Sequence, residues 1–231
     1  MTIAPNSGTG SGPITPDGSP VEFYAMQTSR GEPEIVAAVT PEGGSILELG
    51  CGTGRMTHPL VERGHEVVAV DESAEMLAHV RGARTVRARI GELRLERRFD
   101  TVLLASHLVQ TSAVEARHEL LEACARHVAP DGRVIVQWMP PEPHDAWRVG
   151  QGRTEDGITV KLASLEEREP GRYAATMRYT VGEREWTQSF TSWRLSDEDL
   201  ARALEAAGLR LERFLTEDRM WVAARPAAFT A

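Results

Sequence analysis

Ile46-Leu47-Glu48-Leu49-Gly50-Cys51-Gly52-Thr53-Gly54-Arg55 decides the reading of this chain. An apolar strand runs straight into a glycine turn, and the turn opens an amphipathic segment. Glycine at every second position lets the backbone turn tightly and lets a ligand approach where a Cβ would clash. The spacing is not the dinucleotide fingerprint G-x-G-x-x-G, because the position that needs the third glycine is Arg55. Glu48 at the strand end would repel a pyrophosphate and suits a cationic ligand instead.

The next segment, His65-Glu66-Val67-Val68-Ala69-Val70-Asp71, reads as a second buried strand, ending in a carboxylate 17 positions after Gly54. An acid at that strand end can accept hydrogen bonds from ribose hydroxyls. Together, Glu48-x-Gly50-x-Gly52-x-Gly54 and Asp71 resemble the first motifs of class I S-adenosylmethionine-dependent methyltransferases. The resemblance covers roughly residues 21–227. It implies an α/β fold, a Rossmann-like doubly wound sheet of seven mostly parallel strands with an inserted antiparallel three-stranded roof. It also implies an enzyme that uses S-adenosyl-L-methionine and releases S-adenosyl-L-homocysteine.

Composition agrees with one α/β domain carrying insertions: 231 residues, 41% apolar, formal net charge −8. That charge argues against a nucleic-acid surface, which would cluster Lys and Arg. Two cysteines, Cys51 and Cys124, make no disulfide framework and point to a reducing cytoplasm. No apolar run is long enough to span a membrane, and no signal peptide is visible. The seven histidines show no metal-ligand spacing, so no metal is expected.

Residues 1–20, rich in Gly, Ser, Thr and Pro, read as a disordered tail. Residues 21–44 read as short lid helices and 45–139 as the alternating cofactor-binding core. From Pro140 the texture changes, and 140–195 reads as the inserted roof, with a three-stranded meander over 157–195 punctuated at Pro170-Gly171 and Gly182. Ser196 caps a final helix, and the chain closes with a strand hairpin, so that 196–227 completes the core.

On the family pattern the cofactor residues are Glu48, Gly50, Cys51, Gly52, Thr53 and Gly54 around the methionine portion, and Asp71, Glu72 and Met76 around ribose and adenine. Gly91, Glu92 and Leu93 stand where relatives carry an adenine-binding aspartate, and Ser106 ends the fourth core strand. His107, at the crevice outside that strand, is the expected group beside the transferred methyl and a candidate general base; Tyr24 is the candidate from the lid. Trp138, His144, Trp186 and Gln188 are the expected acceptor contacts, with Trp186 and Gln188 on one face of their strand.

The expected function is methyl transfer to a small, aromatic or natural-product acceptor at nitrogen, oxygen or an indole carbon. In size and layout the chain resembles actinobacterial indole C3-methyltransferases. The rival readings are a non-catalytic S-adenosylmethionine-binding protein and an NAD(P)-dependent reductase. The partner is a small molecule, with neither nucleic acid nor membrane, and a homo-oligomer is left open.

Overall fold

The computed structural model describes residues 6–227. The chain enters as a short strand, β1 (Ser7–Thr9), and passes through two short helices, α1 (Val21–Tyr24) and α2 (Glu32–Ala37). The alternating core follows as β2 (Ser45–Leu49), α3 (Thr57–Glu62), β3 (Glu66–Asp71), α4 (Ala74–Leu77), β4 (Arg84–Arg87), β5 (Phe99–Leu104), α5 (Val114–His127) and β6 (Val128–Gln137). After α6 (Pro141–Asp145) come β7 (Gly152–Glu155), β8 (Ile158–Glu169), β9 (Arg172–Val181) and β10 (Arg184–Trp193). The chain ends with α7 (Asp197–Ala206), β11 (Leu209–Phe214) and β12 (Trp221–Pro226).

Seven strands form one sheet in the order β11-β12-β6-β5-β2-β3-β4. From β6 to β4 all neighbours are parallel, whereas β12 runs antiparallel to both β6 and β11. The apolar runs explain why this sheet is covered on both sides. Successive strand side chains point to opposite faces, so Leu47 and Leu49 of β2 enter one core while Ile46 enters the other. Val102 and Leu104 divide from Leu103 in the same way on β5, as do Val134 and Val136 from Ile135 on β6. All nine are fully buried, and each contributes about 1.5–3 kcal/mol through burial. Helices α5 and α7 close the first face through Leu121, Leu200 and Leu204, and α2 and α3 close the second through Val36 and Leu60.

The parallel strands direct their carboxyl ends to one edge, and the strand order reverses between β2 and β5. That switch point opens a crevice. A second sheet lies over it, in the antiparallel order β1-β10-β9-β8-β7. The three-stranded roof expected from the sequence is therefore five-stranded. Beside β8, β9 and β10 it gains β7, whose Gly-Arg-Thr-Glu run has no apolar alternation to betray it.

The fifth strand corrects the expectation of a disordered tail over 1–20; residues 1–5 lie outside the described residues. Ser7, Gly8 and Thr9 pair with Ser189, Gln188 and Thr187 on the open edge of β10. Backbone pairing to an open sheet edge needs no apolar side chain, which is why composition misses it. The same strap covers Trp186, which is fully buried: its indole N–H donates to the Ser11 carbonyl at 2.9 Å. A Cβ on Gly10 would come within 2.2 Å of the indole ring, so only glycine fits there. Phe23 of α1 stacks on Tyr179 of β9 at 4.0 Å and completes a small second core.

Deleting residues 1–18 strips one edge from the roof and leaves the Trp186 N–H without its acceptor. The expected loss is about 2–4 kcal/mol of unfolding free energy. Urea denaturation of the truncated and full chains checks it, and equal midpoints would show the strap to be dispensable.

Candidate active site

The crevice and the roof enclose a cavity of about 990 Å³. One wall is the glycine turn. Gly50 and Gly52 hold φ of +72° and +54°, and a Cβ on Gly50 would strike Leu108 at 2.7 Å. Glu48, Gly50, Cys51, Gly52 and Thr53 all face the cavity. Gly54 does not line it: a Cβ there would meet the His58 ring at 2.8 Å, so this glycine lets the chain pass into α3.

Glu48 is buried and accepts a 2.5 Å hydrogen bond from the Thr57 hydroxyl. Burial pushes its carboxyl up to about 7, with Thr57 and Arg55 offsetting part of the rise. Asp71, at the end of β3, accepts the Gly52 N–H on one oxygen and the Ser73 N–H on the other, both at 2.9 Å. Each oxygen keeps a free lone pair. Glu72 and Met76 extend this wall. The Cys51 thiol is driven up by burial and by the carboxylates Glu48 and Asp71, so it is no nucleophile.

The turn after β4 supplies Ala88, Arg89, Ile90, Gly91 and Glu92. Leu93, expected beside the cofactor, is instead buried in the main core. In the one-turn helix Ile90–Glu92 the chain reverses, and Leu93 packs inward under it.

Opposite stand Ser106 and His107, consecutive non-glycine residues with φ of +56° and +57°. Such backbone costs on the order of 1–3 kcal/mol per residue and persists only where the surroundings over-determine it. Here they do. The Ser106 N–H donates to Gln137 at 2.8 Å. Gln110 holds the Met139 backbone at both ends, accepting its N–H at 2.8 Å and donating to its carbonyl at 3.0 Å. Arg117 is buried and, among the described residues, has no carboxylate partner; it donates to the carbonyls of Val109 and Thr111, while its guanidinium lies over Trp193 at 4.4 Å. The strained turn carries His107 into the cavity wall with its Nδ1 unpartnered. Burial and the nearby Arg55 pull the imidazole down to about 4, so it is neutral at physiological pH.

The roof wall brings Tyr179, Gln188, Phe190 and Met177, joined by Tyr24 from α1, Thr15, Asp17 and Ser19 from the strap, and Trp147. Gln188 ties them together. Its Oε1 accepts the hydroxyls of Tyr24 at 2.9 Å and Tyr179 at 3.0 Å, and its Nε2 donates to Ser19 at 2.9 Å. Burial raises both phenols, so they stay protonated.

Three expected acceptor contacts are structural. Trp138 is fully buried and donates to the Arg219 carbonyl at 2.6 Å. Trp186 faces the strap, as above. His144 is buried beneath Trp147, stacked at 4.6 Å, and does not line the cavity. The sequence reading missed Asp17, Ser19, Trp147 and Tyr179. Tyr179 was recoverable, because counting back from the Gly182 turn pairs it with Trp186; Asp17 carried no signal within a Gly, Ser and Pro run.

A model of the methyltransferase domain matches residues 46–132. A dTDP-3-amino-3,6-dideoxy-alpha-D-glucopyranose N,N-dimethyltransferase of Streptomyces fradiae is 33% identical over 194 residues, covering 77% of this chain and 74% of that protein. This chain is an S-adenosylmethionine-dependent methyltransferase. A dTDP-3-amino-3,4,6-trideoxy-alpha-D-glucopyranose N,N-dimethyltransferase of Streptomyces venezuelae is 27% identical, covering 78% of this chain and 81% of that one. Two solved structures share the methyltransferase fold. One, from Clostridium acetobutylicum, has a TM-score of 0.73 at 15% identity and covers 89% of this chain and 94% of that one. The other, an amino pentose methyltransferase from Micromonospora echinaspora, has a TM-score of 0.69 at 24% identity and covers 88% and 94%.

Gln110→Ala would free the His107 turn and leave the Met139 N–H without an acceptor. A loss of about 2–3 kcal/mol in unfolding free energy is expected, measured by urea denaturation. An unchanged midpoint would mean that the turn holds itself.

Proposed function

We propose that this methyltransferase acts on the nitrogen of a small amine, an amino sugar or similar natural product. One observation carries the reading: Tyr24, Tyr179, Gln188, Asp17 and His107 offer hydrogen-bond acceptors to the cavity, and Arg55, the arginine beside His107, is already paired to Glu32. Such a wall complements a group that arrives with N–H donors and leaves with positive charge. The names of the two Streptomyces relatives, both amino-sugar N,N-dimethyltransferases, support the same chemistry.

The residues of the crevice fit the cofactor. Glu48 and the Gly50–Thr53 turn would hold its methionine end, and Asp71 and Glu72 would accept its ribose hydroxyls through the lone pairs that the backbone leaves open. The bound cofactor supplies a methyl group on a sulfonium, a leaving group that needs no acid. What this chain adds is approach geometry and exclusion of water, for which positioning alone can yield roughly 7–11 kcal/mol. His107, neutral and on the cavity wall, would accept an N–H of the amine and so orient the nitrogen lone pair. A base at about 4 is poorly matched to proton abstraction near neutral pH, so hydrogen-bond orientation replaces the expected general-base role.

Incubation with S-adenosylmethionine and a panel of amines and matched alcohols, read by mass spectrometry, tests the reading. Methylated amines are expected, and modification confined to hydroxyl or carbon acceptors would overturn it. His107→Ala should lower kcat/KM about tenfold, the worth of one neutral hydrogen bond, whereas a thousandfold loss would restore the general base.

Glu48 yields a pH signature. In the free protein its raised carboxyl keeps the proton up to about pH 7, whereas the cofactor's ammonium group favours the carboxylate. Binding then releases a proton below that pH, and affinity for S-adenosylhomocysteine should rise about tenfold between roughly pH 6 and pH 8. Among its neighbours, His107 and Cys51 stay neutral across this window, because burial pulls the imidazole down to about 4 and drives the thiol up. Calorimetry on wild type and Glu48→Gln checks it, with a flat profile expected only in the variant.

A further inference from the structure

We propose that Asp17 recognises the acceptor amine as an ammonium, which passes one proton to water and so exposes its lone pair before the nitrogen takes the methyl, and that the acceptor enters free of any nucleotide diphosphate. The proposal rests on the amine-methylation reading above and narrows it to a substrate class.

The carboxylate of Asp17 is held entirely by neutral donors of its own loop. One oxygen takes the Thr15 hydroxyl and, at 3.3 Å, the Ser19 N–H; the other takes the Ser19 hydroxyl at 3.1 Å. Among the described residues it forms no ion pair with Arg, Lys or His. It faces the cavity within Coulomb reach of Tyr24, Tyr179, Asp71 and Glu72. An uncompensated carboxylate on a cavity wall attracts a cation.

The direction of the hydrogen bonds is a second, independent observation. Tyr24 and Tyr179 each have one hydroxyl hydrogen, and both are spent on the Gln188 oxygen. Gln188 in turn donates to Ser19, and Ser19 donates to Asp17. These bonds run along one path that ends on the carboxylate, with only the second Nε2 hydrogen of Gln188 left off it. What the tyrosine oxygens leave open is lone pairs. An ammonium, with three donors and no acceptor, is the complement of that surface. A diphosphate, which offers only acceptors and negative charge, would face lone pairs and a carboxylate.

The arginines of the cavity do not change this balance. Arg55 is paired to Glu32 at 2.5 Å. Arg89 stands between Glu72 and Glu92, and Arg94 and Arg126 donate to carbonyls of the 88–94 turn. The roof side instead supplies Trp147, Phe190 and Met177 for the body of the amine. Because β1 and the Gln188 bond to Ser19 fasten the strap to the roof, Asp17 keeps its place relative to those residues.

The test uses the full chain saturated with S-adenosylhomocysteine at neutral pH, with benzylamine and benzyl alcohol as probes in calorimetry. Wild type should bind benzylamine at least about tenfold more tightly than the alcohol, the least that a charge-assisted hydrogen bond confers. Asp17→Asn, and Asp17→Ser as a second variant, should lose that preference while keeping their affinity for S-adenosylhomocysteine, which also reports that they are folded. Thymidine diphosphate should not compete with benzylamine. Absence of preference in wild type, preference surviving in both variants, an equal loss of S-adenosylhomocysteine affinity, or competition by thymidine diphosphate each overturns the proposal. Turnover separates it from the reading on which it rests. A wild type that methylates no amine sinks amine methylation, whereas variants that methylate amines with unchanged KM sink only the role of Asp17.

Discussion

The amide of Gln188 holds the roof wall of the cavity together. One side chain on β10 receives hydroxyl hydrogens from α1 and from β9 and donates to the strap, so the N-terminal segment and two roof strands meet on it. None of these stretches could order the wall alone: α1 is four residues long and the strap pairs through only three. Their joint burial of Phe23, Tyr179 and Trp186 supplies the apolar driving force, and the amide fixes the register in which they meet.

The electrostatics of the cavity follow from the same economy of donors. Glu48, Asp71 and Asp17 are satisfied by hydroxyls and backbone N–H groups, without arginine partners of their own. Neutral donors hold a carboxylate in place and leave its charge available. Burial then raises the Glu48 carboxyl, with Thr57 and Arg55 offsetting only part of the rise, and burial likewise keeps His107 unprotonated. A site so arranged favours ligands that bring positive charge, which describes both a sulfonium cofactor with an ammonium group and an amine that gains a methyl.

The left-handed pair Ser106 and His107 gives this site its rigidity. Gln137, Gln110 and Arg117 hold the turn from three directions, and through Trp193 the last of them reaches the end of β10. The base of the roof and the wall bearing His107 are thus one connected structure, which suits a reaction whose rate depends on the approach angle of two bound groups.

The core strands, the glycine turn and Asp71 were legible because each is a local pattern. Wholly apolar runs demand a sheet covered on both faces, and alternate glycines with positive φ demand a close backbone turn. By itself, then, the sequence determined the Rossmann-like sheet, the cofactor and the class of reaction. The strap was invisible, since three residues of Ser, Gly and Thr become a strand only when β10 offers an edge. Trp138 and Trp186 looked like acceptor contacts because an indole in a strand carries no mark of which neighbour will cover it. Leu93 and Gly54 turned from the cavity for the same reason, each governed by a partner remote in sequence or by the turn that follows. Tertiary structure alone decided which side chains line the roof wall of the cavity, because that depends on the pairing of segments about 170 residues apart, such as Ser19 with Gln188, and long-range pairing is set by the packing of the whole chain.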